Sequence, residues 1–409
     1  MTYSENWNGY VALKAQSGKG VQASGAGGLL LPTSGGAGGL LTKQAVKSNI
    51  VRTDGQQLRG RHGSRRTAGT YTSELGIGRA DPVWEALMRG AWSAADLTAT
   101  QADVTSVTTS TSAIIGTSGS WITKGFRVGD VVRATGLPDA ANNGVNLRIV
   151  GLTATVMTVA ETLVANAAAD TAFSIVRVGR VLINGAAGAL PRTYFTIEEY
   201  EFDLDSSEVF TDCRWSRGMI RMNADGQLDT EFGWTGTGAV EALTGGSSPL
   251  LTSPTEPVSL SLAASESVIR FGSSDVADLT SFDFTLDLQP AAPSVVNKTG
   301  IAPDVFLGTM QVSMNMTLLR KDLQALADFN AETQLSVHLL AQENEASPTD
   351  FFSLFVPNFT LGGVAKSALA QTGGARTVTL SIPADLVGKD TRGGAFDPTT
   401  VKMQVSNAA

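Results

Sequence analysis

The sequence predicts a mainly β protein in which antiparallel sheets are laid out twice on one β-α-β plan, with a small all-β domain inserted into the first copy. Three observations predict it. Apolar and polar residues alternate with a period of two over several runs, so each strand has a buried face and a wet one. Only two segments carry the helical period. From about Thr105 to Val178 the texture changes to short Thr- and Ala-rich runs separated by turn signals.

In chain order, the first element is SGKGVQASGAGGLLLPTSGGAGGLL, Ser17 to Leu41. Gly18, Gly20 and Ala23 fit G-x-G-x-x-A, and Lys19 stands where a phosphate loop wants a cation. A dinucleotide fingerprint also needs a strand before it, a helix after it and an acidic residue about 20 positions on. Here more glycine and then Leu-Leu-Leu-Pro follow, which start no helix, and G-x-x-x-x-G-K-[ST] is absent. The near-duplicates SGAGGLLL and SGGAGGLL fit a flexible apolar arm over Ser24 to Leu41 that orders against a neighbouring subunit. Leu29, Leu30, Leu31, Leu40 and Leu41 are its contacts, and a disordered linker is the plainer alternative.

LRGRHGSRR follows, with Arg59, Arg61, Arg65 and Arg66 on an otherwise acidic chain. These arginines contact phosphate, pair with acidic strands of an adjoining subunit, or stand solvated. DPVWEALMRGAW reads as a helix: Asp81 caps, Pro82 suits the first position, and Val83, Trp84, Leu87, Met88 and Ala91 form one apolar stripe. The inserted block offers the strands SAIIG, GDVVRATG, LRIVGL, TVMTVAE and AFSIVRV, with a turn signal at LPDAANNG.

TIEEYEFDLD brings Glu198, Glu199, Glu201, Asp203 and Asp205 together, which invites a glycosidase with paired carboxylates. Alternation instead puts Glu199, Glu201, Asp203 and Asp205 on one solvated strand face, with Tyr200, Phe202 and Leu204 on the other. In GMIRMNADGQLDTEFGW two alternating runs flank Asn223-Ala224-Asp225-Gly226, whose Asp-Gly pair supplies the positive φ angles of a tight hairpin. SFDFTLDL turns Phe282, Phe284, Leu286 and Leu288 inward. MQVSMNMTL does the same with Met310, Val312, Met314, Met316 and Leu318, and RTVTLSI with Val378, Leu380 and Ile382. RKDLQALADFNA is the second helix, with Leu323, Leu326 and Ala327 at helical spacing.

A chain of 409 residues exceeds the size at which single cores stop growing, so two or three domains are expected. The divisions read as 1–104 (N-terminal arm and first part of domain one), 105–178 (the insert), 179–250 (the rest of domain one) and 251–409 (domain two). Charged residues make up only 17%, which leaves uncharged surface for contact between chains, and the net charge of −8 argues against general nucleic-acid binding. Cys213 is the only cysteine, so no intrachain disulfide and no cysteine-based metal cluster is expected. His62 and His338 are too few for a histidine-rich metal site, and no G-x-S-x-G elbow places a nucleophile. His338 and Cys213 read as packed strand residues. The N-terminus lacks a secretory signal and no window approaches a membrane span, so folding in the cytoplasm is expected.

AVKSNIVRTDGQQLRGRHGSRRTAG, the inserted GSWITKGFRVGDVVRATGLPDAANNGVNLRIVGLTATVMTV, YFTIEEYEFDLDSSEVFTDCRWSRGMIRMNADGQLDTEFGWTG and NKTGIAPDVFLGTMQVSMNM together resemble the major tail tube protein of long non-contractile-tailed bacteriophages, the siphophage type. The resemblance spans most of the chain and implies a structural virion protein with no catalysis and no cofactor. It implies two tandem β-sandwich or barrel-like tube domains, each with one short helix, that join side by side into rings. The rings stack into a tube around the channel through which viral DNA leaves the head.

In some relatives one chain carries two fused tube domains, so a trimer with pseudo-sixfold symmetry is implied, a hexamer being the alternative. The partners implied are further copies of the chain, the tape-measure protein, and tail terminator or distal tail proteins. Double-stranded DNA passes through without sequence-specific binding, and no membrane is involved. Its place is the virion, after synthesis in the host cytoplasm. A channel that does not hold phosphates needs an acidic lining, for which Glu199, Glu201 and Asp203, or Asp283 and Asp287, are the candidates; external solvent is the other place for them. The insert is expected to project outward as a decoration. Two rivals are a virion surface module, decorating the head or binding the host, and a carbohydrate-active enzyme built on the acidic strand.

Overall fold

Eight strands form one continuous antiparallel sheet in the computed structural model, which describes residues 3–93, 96–296, 299–344, 349–370 and 373–406. Asn297 and Lys298, within the stretch NKTGIAPDV, lie outside the described residues. The strands are β1 (Gly35–Val46), β2 (Arg61–Glu74), β3 (Ser206–Asn223), β4 (Asp229–Gly236), β5 (Leu279–Asp287), β6 (Gln311–Leu319), β7 (Gly363–Lys366) and β8 (Thr377–Ile382). Their order across the sheet is β1-β2-β4-β3-β5-β6-β8-β7.

That order repeats. Each half of the sheet runs first, second, fourth, third in chain order, and each has a helix directly after its second strand: α1 (Asp81–Met88) after β2 and α3 (Gln324–Asn330) after β6. The halves meet where β3 pairs with β5, Arg217 opposite Asp287 through to Asn223 opposite Ser281.

Alternation decides which face is buried. Phe282, Phe284 and Leu286 of β5, Val312, Met314 and Met316 of β6, and Leu380 and Ile382 of β8 are all buried. They pack against a second layer of two further groups of strands. The N-terminal part of β3 pairs with Phe195–Glu201 and Ala239–Thr244, and Gly9–Ala15 and Leu29–Leu31 extend that group. The other group is a six-stranded sheet built from Arg180–Ile183, Lys402–Val405, Phe351–Phe359, Leu335–Gln342, Ser267–Phe271 and Ser274–Val276. One core joins both halves: Trp84, Trp215, Phe232, Phe284, Leu354 and Met403 belong to the same apolar cluster. Among the described residues these sheets stay open, and none closes into a barrel.

The arm expected to be flexible is instead ordered within a single chain. Leu29–Leu31 pairs with Gly9–Ala15, β1 pairs with β2, and Leu31 is buried in the core. The loop before it is tied down by Gly20 N–H donating to Asp212 (2.7 Å) and by Ala23 N–H donating to the Thr196 hydroxyl (2.9 Å). Here glycine serves close approach rather than freedom. A Cβ on Gly39 would stand 2.3 Å from the Phe210 ring, and one on Gly36, at φ +121°, would stand 2.2 Å from the Thr70 carbonyl.

Three local expectations also fail. Asp81 does not cap α1: Ala80 is the N-cap, and Asp81 pairs with Arg180 at 2.6 Å. Ala91 lies past the helix end and is exposed. The Asn223 to Gly226 turn joins β3 to β4, with Gly226 N–H donating to Asn223 (3.1 Å), but neither Asp225 nor Gly226 adopts a positive φ. The loop is long enough that no mirror-image turn is required.

The inserted segment folds into an eight-stranded sheet from Leu97–Thr100 to Ser174–Arg177 with its own core, including Trp121, Phe126, Leu147, Ile149 and Ile175. A single helical turn, α2 (Trp121–Lys124), is capped by the Ser120 hydroxyl accepting from Thr123 N–H at 3.2 Å; one turn is too short to leave a periodic stripe in the sequence. The insert is clamped to the six-stranded sheet by buried polar groups. Lys402 is buried between Asp130 (2.5 Å) and Asp397 (2.6 Å), and the Gln404 amide donates to Val131 and Val178 while accepting from Val131 N–H, each at 2.8 Å.

Two comparisons test these placements by chemical denaturation. Gly39→Ala is expected to cost about 1–3 kcal/mol through overpacking against Phe210, whereas Gly18→Ala, which meets nothing within 4 Å, stays within about 0.5 kcal/mol of wild type. Lys402→Ala removes the closest ion pair of buried Asp130, leaving it only the more distant Arg177 (3.9 Å) and Arg127 N–H, and is expected to cost about 3–5 kcal/mol. Lys321→Ala removes only a largely exposed, solvent-screened pair with Asp278 and is expected to leave the denaturation midpoint close to wild type.

Candidate functional site: a wet sheet face and a basic ribbon

The face of the eight-stranded sheet that turns away from the core is a broad polar wall. Its rows follow from register. Glu74, Asp229, Arg221, Asp283, Asn315 and Ser381 lie side by side across six strands; Thr72, Glu231, Met219, Thr285 and Ser313 form the next row; Thr70, Gly233, Arg217, Asp287 and Gln311 form the third. Five carboxylates stand against two guanidinium groups, so the wall carries surplus negative charge amid hydroxyls and amides. Arg221 pairs with Glu231 at 3.3 Å, Asp287 accepts from Gln289 N–H at 2.6 Å, and Glu74 accepts from the Ser261 hydroxyl.

Asp283 and Asp287 are therefore on this wall, half-exposed. Glu199, Glu201 and Asp203 are not. They belong to the other layer, where the strand Phe195–Glu201 ends and residues 202–205 turn into β3. The solvated acidic face expected from Glu199 through Asp205 is therefore not formed: Glu199 turns inward between the layers and the strand ends at Glu201. Phe202 and Leu204, expected to face inward, are 53% and 45% exposed, and Asp205 sits at φ +43°. Asp residues that bond to nearby backbone favour a turn over continued extension, and Asp203 accepts from Glu5 N–H (2.9 Å) and the Asn8 amide (2.6 Å). Glu198 faces inward and accepts from Leu250 and Leu251 N–H, each at 2.7 Å.

Glu199 is an internal fastener. It accepts from the Tyr71 hydroxyl and from Gly39 N–H, both at 2.6 Å, and so ties the two layers together at β1 and β2. Burial pushes its carboxyl above the ordinary range, with Glu208 and Glu201 adding to the rise and the two hydrogen bonds opposing it. Burial and Glu199 likewise hold the Tyr71 hydroxyl well above its usual value.

The candidate contact residues separate as well. Leu31 is in the core and Leu29 and Leu30 are half-buried, while Leu40 and Leu41 are 58% and 36% exposed on β1. Arg59, Arg61 and Arg66 are exposed and Arg65 is half-buried, all at the far end of the β1–β2 ribbon, where Val46 faces Arg61 and Thr42 faces Arg66. Lys43, Lys47 and Arg52 add to the same projection, whose one acidic residue, Asp54, pairs with Arg52 at 2.6 Å. No ion pair within the described residues engages the four arginines.

The remaining reactive side chains are packed away. His338 is buried with Nε2 2.8 Å from the Ser353 hydroxyl. Burial, with Arg148, Lys402 and Arg270 nearby, holds it well below its ordinary value and neutral. Cys213 is buried and its thiol is pushed up by that burial. No helix is long and apolar enough to cross a membrane, and among the described residues no three His, Cys, Asp or Glu side chains gather as metal ligands. The wall's other charges, Arg217, Arg221, Asp229 and Glu231, were readable from the alternation around the Asn223 turn once both strands joined one sheet.

A family model described as a phage tail tube protein matches residues 7–386 of the chain. No curated protein matches it.

A pH series tests the role of Glu199. A carboxyl raised by folding stabilises the fold below its unfolded value, and that contribution disappears as pH rises through the raised folded value. Urea stability of the wild type relative to Glu199→Gln is therefore expected to fall as pH climbs from the carboxylate range toward neutrality. The amide oxygen still accepts from Gly39 and Tyr71, so the variant's curve is flatter; a constant difference at all pH values would contradict the assignment.

Proposed function

From the premise that the chain belongs to the phage tail tube protein family, a family of structural virion components, we propose that it polymerises into stacked rings that form the tube of a long non-contractile tail and conduct DNA during ejection. The observation that carries this reading is the wet face of the eight-stranded sheet, which runs unbroken through both halves of the chain. A wall of this kind suits a bore: surplus carboxylate repels phosphate, and scattered hydroxyls and amides bind it weakly and without register. Asp283 and Asp287 are the lining residues in this reading, whereas Glu199, Glu201 and Asp203 fasten or cap the other layer.

Because the four-strand unit occurs twice per chain, three chains give a ring of six units, the favoured assembly over six chains. The two halves are then fused tube domains, with residues 105–178 an outward decoration and the division between halves near residue 250. Arg59, Arg61, Arg65 and Arg66 reach acidic surface on a neighbouring copy, and Leu40 and Leu41 lie at a contact between chains. The tape-measure protein occupies the bore during assembly, terminator and distal tail proteins meet the ends, and synthesis takes place in the host cytoplasm with no membrane step.

Negative-stain images of concentrated purified protein are expected to show rings or tubes; a monodisperse monomer at every concentration would refute the reading. The lining is tested separately. Asp283→Lys with Asp287→Lys is expected to leave tubes intact and to slow genome ejection several-fold, because each ring then holds the phosphates it should release. Glu201→Lys with Asp203→Lys is expected to eject at the wild-type rate. The reverse pattern would move the bore to the other layer.

A further inference from the structure

We propose that the side chains of Lys402 and Asp130 condense into an amide, and that this isopeptide bond ties the inserted segment covalently to the last strand of the six-stranded sheet. The inference is independent of the tube reading. Lys402 opens the strand Lys402–Val405, and Asp130 stands directly before the insert's strand Val131–Thr135. Both are buried, with side-chain exposures of 1% and 0%, and Lys402 Nζ is 2.5 Å from Asp130 Oδ1. Strand register sets Phe355 and Ile183 on either side of Lys402, and Phe355 belongs to the insert's own apolar cluster. The two side chains therefore meet where insert and sheet share a core. A buried ammonium–carboxylate pair carries a desolvation penalty that a neutral amide in the same place escapes. Exclusion of water also keeps the bond, once made, from hydrolysis.

The surroundings supply each part of the reaction. Lys402 directs its aligned hydrogen bond to Asp397 Oδ2 at 2.6 Å. Asp130 Oδ1 is closer still, yet among the described residues it accepts no aligned hydrogen bond. The nitrogen is thus held by one carboxylate and set against the other. Asp130 Oδ2 accepts from Arg127 N–H at 2.7 Å, and the Arg177 guanidinium stands 3.9 Å from the same oxygen. Asp397 relays one proton from Nζ to Asp130 Oδ1, which turns the ion pair into an amine and a carboxylic acid. The amine lone pair attacks Cγ, the Nζ–Cγ bond forms, and negative charge gathers on Oδ2, where Arg127 N–H and Arg177 stabilise it. A second proton from Nζ follows the same route to Oδ1. The Cγ–Oδ1 bond then breaks, water leaves, and the carbonyl reforms at Oδ2. Asp397 ends as the carboxylate it began, and water is the one product released.

Mass spectrometry of the intact, full-length chain reads the bond directly. Wild type is expected to be lighter than its sequence by one water, and tryptic digestion to yield a branched peptide that joins the Asp130 and Lys402 segments. Lys402→Arg keeps a cation in the site and is expected to restore the full sequence mass. Asp397→Asn preserves the shape of the proton carrier and leaves both bonded residues in place. Its linked fraction is expected to grow at least about a hundredfold more slowly after folding, the usual scale of general acid–base help. Wild type at its full sequence mass would overturn the proposal, as would loss of water without the branched peptide, the mark of a succinimide. Asp397→Asn that links as fast as wild type would overturn the proton route.

Discussion

The backbone at the edge of a β-sheet carries N–H and C=O groups that must find partners, and the rest of this structure depends on how that demand is met. Between the halves it is met by β3 against β5. That seam sets much else: it aligns the two wet faces into one wall and contributes to a core shared by both units. The second layer repeats the link, since Arg180–Ile183 from the first half pairs with Lys402–Val405 in the six-stranded sheet.

Holding two layers together at the first half's outer end requires an unusually thin strand. β1 crosses the Phe210 ring at Gly39, and Gly69 of β2 crosses the Trp234 indole, where a Cβ would stand 2.6 Å from Nε1. Bare backbone lets β1 reach Glu199, whose carboxylate binds Gly39 N–H and the Tyr71 hydroxyl at once. One carboxyl oxygen takes a donor from each of two strands, so an acidic residue here serves cohesion between layers. The insert is held by the same kind of contact, with Lys402 between two carboxylates and Gln404 bridging two backbone segments.

How much of this the sequence disclosed follows from the range of each interaction. Period-two alternation is local, so β5, β6 and β8 and their buried faces were legible, as were five of the insert's eight strands and the packed roles of His338 and Cys213; Leu97–Thr100, Val107–Thr109 and Asn166–Asp170 are too short or too Ala- and Thr-rich to alternate visibly. The repeat was legible because a helix follows an equivalent strand in each half. The glycine-leucine run was misread because glycine composition does not distinguish flexibility from close approach; only Phe210, far away in the chain, decides it. The acidic run was misread beyond Glu201 because turn-forming Asp residues happened to continue the alternating pattern. Nothing local marks Lys402 as the partner of Asp130, which lies in the inserted segment.

Net charge was the least informative number. A total of −8 suggests a uniformly acidic surface, yet the charge is sorted: surplus carboxylate on the wet wall, and arginine and lysine on the β1–β2 ribbon, which extends past the wall's end. Sorting of this kind matters at short range, since screening confines exposed charges to about 8–10 Å at physiological salt. In the proposed tube, a phosphate backbone moving along the wall would meet the carboxylates beside it, and a second copy set against the ribbon would meet a concentrated positive edge. Sorted in this way, one chain could repel a polyanion on one surface and attract its own acidic surface with another, which a chain of the same net charge spread evenly could not do.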